Sequence, residues 1–403
     1  MTIKTKAAML AACAAAALLA VPSAAHPQGQ AGGAQAGKTH LAEFKAFSDA
    51  TAAGDRDAVL RHGEAAWRAA EAELGDHETT ALLAQNFVYE AIWTAPDAAR
   101  PAATRALALG QAGLGLSNLP LPELEIADAY LQATEKPRSR ERRRRLTAAL
   151  TAEDAPLTAL RIGAAQRAAN LLVEEDDHEA AYVVASTLAR ALDAEDDLPP
   201  GVLALTNMQR VVAMLAPKKY RSGLPSERLT IRADWKDRLK DAHVLIDHTT
   251  ALFEPQVDIE DFDPLFAASY AWHSVIMALQ HSHKIEVPED WTFEGRRMTP
   301  ATPAIAGRET EDEAPVCPIA WKERRLRYPP GAQGKRYIGG VLLGYHLTPE
   351  GRVEGARILS EVPADRFGQA ILSQVEDWEA ETDGVEPDCL RNQVVSVQFV
   401  MRN

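Results

Sequence analysis

The chain of 403 residues has few cysteines, no long apolar run after residue 25 and none of the common catalytic motifs. A helix needs about 20 apolar residues to cross a bilayer, so no segment beyond residue 25 can do so. The sequence contains no Gly-rich phosphate loop, no His-Glu-x-x-His, no Gly-x-Ser-x-Gly and no paired-cysteine metal motif. These absences predict a protein that is not an enzyme and uses no cofactor and no metal.

Acidic side chains exceed basic ones, 57 to 43, which gives a formal net charge of −14. A nucleic-acid-binding protein needs a basic surface to neutralise phosphates. The charge therefore argues against nucleic acid as a partner.

The N-terminus has the pattern of an export signal. Lys4 and Lys6 precede an apolar run that ends with the small residues Ser23 and Ala25. This pattern predicts a signal peptide over residues 1–25, cleavage before His26 and a periplasmic protein. The alternative is an uncleaved anchor over residues 7–25, which would hold the protein at the inner membrane facing the periplasm. Residues 26–39 are rich in Gly, Gln and Ala and predict a flexible lead.

Export also sets the redox environment of the cysteines. Cleavage removes Cys13 and leaves Cys317 and Cys389, an even number in an oxidising compartment. We predict that these two form a disulfide; two independent buried thiols are the alternative.

Residues 40–290 predict an all-α body. Ala, Leu, Glu and Arg dominate this stretch, and β-branched residues are few. Helical units begin near Gly75, Leu121 and Glu153, and starts roughly 35–45 residues apart resemble tetratricopeptide-type repeats. Such a body would offer a groove for a peptide, and a non-repetitive helical domain is the alternative. Residues 291–316 are rich in Pro, Thr and acidic residues and predict a mobile tether.

Four histidines lie near the end of the helical body: His248, His273, His281 and His283. His273 and His281 are spaced to share a helix face, but no Cys or carboxylate stands at ligand spacing beside them. We therefore predict satisfied or surface histidines, with a metal site as the alternative.

Two basic clusters stand out. The first, which predicts a solvated helix face or else a patch for anionic partners, comprises Arg138, Arg140, Arg142, Arg143, Arg144 and Arg145. The second, which could steer an acidic partner, comprises Lys322, Arg324, Arg325, Arg327, Lys335 and Arg336.

The last quarter of the chain changes from helical to mixed α/β patterning. After Tyr328-Pro329-Pro330, two β-rich runs at 341–347 and 352–360 are joined by Thr348-Pro349-Glu350-Gly351. Such runs around a tight Pro/Gly turn predict a β-hairpin.

An amphipathic helix and a final strand follow the hairpin. Phe367, Ile371, Val375 and Trp378 form one apolar stripe at helical spacing, and residues 392–401 alternate as a strand with one face on that stripe. The predicted core of this module comprises Tyr328, Phe367, Ile371, Val375 and Trp378.

The order of these elements over residues 317–403 resembles the C-terminal domain of the TonB family. The resemblance implies a small α+β domain with an antiparallel sheet, so the whole chain is expected to be multidomain, with an all-α tetratricopeptide-like body before it. It also implies that the final strand binds a segment of an outer-membrane transport receptor by strand addition. The residues of that strand edge are Gln393, Val394, Val395, Ser396, Val397, Gln398 and Phe399.

Three interpretations of the whole chain remain open. The first is an exported binding protein, and the second is a membrane-anchored energy transducer that keeps residues 7–25. In the third, a periplasmic scaffold, the repeats bind a peptide and the module only docks or dimerises, with its edge covered.

Overall fold

The computed structural model describes residues 39–115, 121–195, 198–215, 224–225, 234–253, 258–288, 290–297, 319–323, 326–329, 332 and 337–399. The described chain divides into two compact units: an N-terminal unit that ends at Glu175 and a C-terminal unit that begins at Asp176. No described helix combines the length and apolarity needed to span a membrane. The predicted signal or anchor, residues 1–25, lies outside the described residues.

The described part of the N-terminal unit is helical throughout. Its helices are α1 Thr39–Ala53, α2 Arg56–Leu74, α3 Glu78–Ala91, α4 Pro96–Gln111, α5 Leu121–Glu135, α6 Arg140–Leu150 and α7 Ala159–Glu174. Helices that follow one another in the chain pack on one another. Small side chains make this close packing possible, since Ala81, Ala84 and Ala91 of α3 are fully buried. The predicted helical character of this part of the chain is therefore confirmed, while its division into tetratricopeptide-like repeats stays a prediction.

The C-terminal unit combines helices and strands. Its helices are α8 His178–Asp193, α9 Pro200–Leu215, α10 Trp235–Thr250, α11 Pro264–His283 and α12 Gly368–Val375. Its strands are β1 Leu224–Pro225, β2 Thr292–Phe293, β3 Arg296–Arg297, β4 Ala320–Glu323, β5 Tyr337–Leu347, β6 Val353–Val362, β7 Glu379–Glu381 and β8 Gln393–Phe399. The small antiparallel sheet expected near the C-terminus is present.

Strand β5 is the centre of the main sheet. It pairs antiparallel with β6 on one side and with β8 on the other, and β1 pairs with its first residues. The β5–β6 connection is the predicted tight turn, in which the Gly351 N–H donates to the Thr348 carbonyl at 2.9 Å. Gly351 has φ +82°, and a Cβ there would lie 2.1 Å from the Ala380 oxygen, so the turn needs glycine. The predicted hairpin is confirmed.

Helices cover both faces of this sheet. On one face α12 packs against Val341, Leu343 and Val397, while the other face meets α11 through Ile338 and Leu342. The sequence places α11 in a separate helical body, residues 40–290. In the structure α11 belongs to the same compact unit as the sheet.

Close contact between α11 and β5 depends on Gly340. A Cβ at this position would lie 2.5 Å from the Ala271 carbonyl oxygen and 2.7 Å from Ser274 Cβ. Atoms do not approach so closely, so only glycine lets the strand reach the helix backbone. The close packing of α11 on the sheet therefore depends on glycine at position 340.

Part of the predicted tether has a defined structure. Residues 292–297 form the β2–β3 hairpin, and the Glu294 carboxylate lies 2.6 Å from a guanidinium nitrogen of Arg210, which is 1% exposed. The Trp291 indole N–H donates to Asp241 at 3.0 Å. A buried guanidinium must be paired, so Arg210 fixes this hairpin on α9 despite the polar composition of the segment. Residues 298–316 lie outside the described part of the chain.

Candidate strand-binding edge

Strand β8 lies at the edge of the main sheet. Its register runs from Gln393 opposite Tyr345 to Phe399 opposite Gly339, all on β5. Among the described strands β8 has no second partner. Alternate residues of β8 therefore direct main-chain N–H and C=O groups away from β5, toward the outer edge.

The side chains of β8 that face the core hold the strand in place. Val397 and Phe399 are buried, and Phe399 stacks on Phe367 with ring centroids 4.4 Å apart. Ser396 and Gln398 are exposed, although the Ser396 hydroxyl also contacts the hydroxyl of Ser274 on α11. The strand is anchored by its inward side chains, so binding at its edge needs no rearrangement of the core.

The residues before β8 fix where the strand begins. Asn392 has φ +52°, and its N–H donates to His346 Nδ1 at 3.0 Å. The Gln393 amide donates to the Cys389 carbonyl at 2.8 Å. These bonds join the strand to the short helix Pro387–Leu390 and to β5, and so define its register.

Cys389 is buried, with 4% of its surface exposed. Cys317, its predicted partner, lies outside the described residues, so the pairing of these two cysteines stays a prediction. We expect mass mapping of a non-reduced digest to show a peptide that contains Cys389 linked to one that contains Cys317. Reduction should separate the two peptides. Two free thiols in freshly purified periplasmic protein would contradict the pairing.

The predicted core residues lie together beneath the sheet. Phe367, Ile371 and Val375 are fully buried, and Trp378 is 1% exposed. Tyr328 is half-buried, with its ring edge-on to Phe367 and Phe399 at 6.0 and 5.5 Å. Burial raises the pKa of Tyr328 to about 12, because removal from water disfavours the phenolate.

Described members of the two basic clusters form ion pairs or are exposed. Near the module, Lys322 pairs with Glu379 at 3.2 Å and Arg327 is exposed. The other four members, Arg324, Arg325, Lys335 and Arg336, lie outside the described residues. In α6, Arg145 lies 2.8 Å from the buried carboxylate of Asp128, and Arg142 lies 2.5 Å from Glu135. Part of the α6 cluster therefore pairs within its own unit, in addition to meeting solvent.

The histidines include one arrangement that the sequence spacing did not indicate. His281 is exposed, whereas His273 Nε2 lies 3.2 Å from Asp247 Oδ1. The expectation that no carboxylate stands beside His273 is wrong, because the neighbouring helix α10 supplies one. The signal that could have revealed it is His243-x-x-x-Asp247, which places both side chains on one face of a helix.

Sequence comparison relates part of the chain to TonB proteins. It is 31% identical over 85 residues to protein TonB of Escherichia coli (strain K12), a match that covers 21% of this chain and 36% of that protein. It is 33% identical over 82 residues to protein TonB of Klebsiella pneumoniae, which covers 20% of this chain and 33% of that protein. It is also 33% identical over 85 residues to protein TonB of Salmonella typhimurium (strain LT2), which covers 21% of this chain and 35% of that protein.

Each match spans about a third of the length of the TonB protein concerned. No protein-family model matches the chain. The edge position of β8, the helix on its sheet and the similarity in sequence together support a TonB-like C-terminal domain.

Proposed function

We propose that this is an exported protein of the cell envelope that binds a short extended segment of an outer-membrane transport receptor along β8. The observation that carries the proposal is the outer edge of β8, which pairs with no other described strand. Similarity to TonB proteins supports a protein partner and a location in the envelope. The binding residues would be those of Gln393–Phe399.

Strand addition suits such an edge for a physical reason. A peptide in extended conformation takes its affinity from main-chain hydrogen bonds, so its own side chains can vary. The exposed side chains of Ser396 and Gln398 would contact alternate side chains of the added peptide. No catalytic group is needed for this activity.

The test uses a photo-crosslinking amino acid placed at Ser396 or at Gln398 in the full mature chain. This choice leaves Cys389 untouched. We expect both positions to capture synthetic peptides that correspond to the N-terminal segments of outer-membrane transport receptors. Glu376 is exposed in the same unit, just after α12, and serves as the matched control position at which capture should fail.

A second measurement separates strand addition from recognition of side chains. The captured peptide is resynthesised with N-methyl groups on alternate residues, in two sets that are out of phase. Alternate N–H groups of an added strand point toward β8, so one set should abolish binding and the other should leave it nearly unchanged. Equal binding by both sets, or capture at Glu376 as strong as at Ser396, would contradict the proposal.

The mature N-terminus decides between two forms of this function. A start at His26 leaves a periplasmic binding protein, which is the form we propose. A retained segment 7–25 would favour a membrane-anchored energy transducer. N-terminal sequencing of the protein isolated from the envelope distinguishes the two.

A further inference from the structure

Helices α10 and α11 bring two imidazoles and a carboxylate together. His243 and Asp247 lie one helical turn apart on α10, and His273 lies on the adjacent helix α11. His243 Nε2 is 3.6 Å from Asp247 Oδ2, and His273 Nε2 is 3.2 Å from Asp247 Oδ1. The three potential ligand atoms all lie within 4.8 Å of one another.

Two of these groups are buried, unlike the partners of an ordinary surface ion pair. His243 is 6% and Asp247 5% exposed. Within the described residues, the ion pairs of Asp247 are those with the two histidines. A buried carboxylate is costly unless a positive charge accompanies it. Either a protonated imidazole or a bound cation would meet that need.

The spacing of these atoms is compatible with a metal site. Zinc binds His nitrogen and carboxylate oxygen at about 2.0–2.2 Å, so two ligands of a tetrahedral site lie about 3.4 Å apart. The separation of 3.2 Å from His273 Nε2 to Oδ1 and that of 3.6 Å from His243 Nε2 to Oδ2 are both close to that value, although they involve the two different oxygens of Asp247. The two imidazole ring centroids are 5.3 Å apart.

A further residue holds one of the ligands in position. The side-chain nitrogen Nε2 of Gln280 lies 2.9 Å from His243 Nδ1, and Gln280 is itself 6% exposed. In that arrangement the Gln280 N–H donates to Nδ1, and the neutral imidazole carries its proton on Nε2. A half-turn of the amide, which brings its oxygen to Nδ1–H, would leave Nε2 free to bind a cation. Such a hydrogen bond on the second ring nitrogen accompanies nearly every metal-binding histidine.

We propose that His243, Asp247 and His273 form a binding site for a divalent transition metal, with zinc as the best fit. Two imidazoles and a carboxylate are ligands that zinc accepts, and a water molecule would take the fourth position. The His273 side chain is 27% exposed, so solvent can reach the His273 side of the site and supply this water. The metal would join α10 to α11, the helix that covers one face of the sheet.

The test measures zinc binding to the full mature chain, purified without a polyhistidine tag and stripped with a chelator. We expect calorimetric titration with ZnCl₂ to give one saturable site. His273→Gln and Asp247→Asn should each weaken that site at least about tenfold, the lower end of what loss of a supporting residue alone costs. His281→Gln changes an exposed histidine on the same helix and should bind zinc as the parent does.

Two further readouts keep the result interpretable. Far-UV circular dichroism identifies any variant that fails to fold. His273 is the least buried of the three residues, so His273→Gln should disturb the fold least and is the decisive variant. Co²⁺ in place of zinc should give the visible absorption bands of a four-coordinate site in the parent and in His281→Gln, and not in folded His273→Gln. A parent without a one-to-one site, or equal zinc affinity in the His273 and His281 variants, would overturn the proposal.

Discussion

Trp378→Ala is expected to lower the free energy of unfolding of the C-terminal unit by about 3–5 kcal/mol, the usual cost of deleting a buried aromatic side chain. Trp378 is 1% exposed. Its ring meets Trp321 edge-on at 5.4 Å and Tyr345 at 6.4 Å. The substitution would open a cavity between α12 and the sheet that these large, rigid rings could not close.

Urea denaturation of the full chain, monitored by hydrogen exchange of the amides in β5, measures this loss of stability. Exchange at β5 reports the unit that contains the strand, which matters because two units need not unfold together. Glu376→Ala, an exposed change two residues earlier, should alter stability by less than about 0.5 kcal/mol. If Trp378→Ala cost less than about 1 kcal/mol, the indole could not be the centre of the core.

The parts of the fold that the sequence predicts well are those fixed by local chemistry. The β5–β6 hairpin follows from two β-rich runs around a turn that ends at Gly351. All the residues that specify this hairpin lie close together in the sequence. The buried stripe of Phe367, Ile371 and Val375 follows from helical periodicity in the same way. The order of such elements also predicted a final strand over residues 392–401, within which the structure places β8 Gln393–Phe399.

Contacts between residues far apart in sequence could not be predicted in this way. The hairpin at 292–297 has the polar composition of a tether, yet Glu294 pairs with Arg210, 84 residues earlier. The His243, Asp247 and His273 cluster likewise requires two helices to pack in a particular register. Sequence periodicity shows which face of a helix is apolar, and it does not show which element covers that face.

The same limit applies to the boundary of the module. The change in composition at 291–316 suggests that a self-contained domain begins at residue 317. The structure instead packs α11 against the sheet through Ile338 and Leu342. A segment limited to residues 317–403 would expose this apolar face to water, which is why we expect α11 to be needed for a stable module.

Gly340→Ala is expected to destabilise the C-terminal unit by about 2–3 kcal/mol, because it places a methyl group where there is no room. The new Cβ would lie 2.5 Å from the Ala271 carbonyl oxygen of α11, which belongs to the helix backbone and cannot move alone. The strand would have to separate from the helix. The loss should appear as a lower urea midpoint and as faster hydrogen exchange in both α11 and β5.

Gly344→Ala is the matched control, since it makes the same change in the same strand. Its Cβ would lie 3.2 Å from the side chain of Ile259, which can shift by a few tenths of an ångström. We expect a cost of less than about 1 kcal/mol. Any intrinsic preference of alanine over glycine in a strand is common to both variants, so their difference isolates contact with the helix backbone. Equal stability of the two variants would mean that α11 does not pack on β5, and the module would then be the separate domain that the composition suggests.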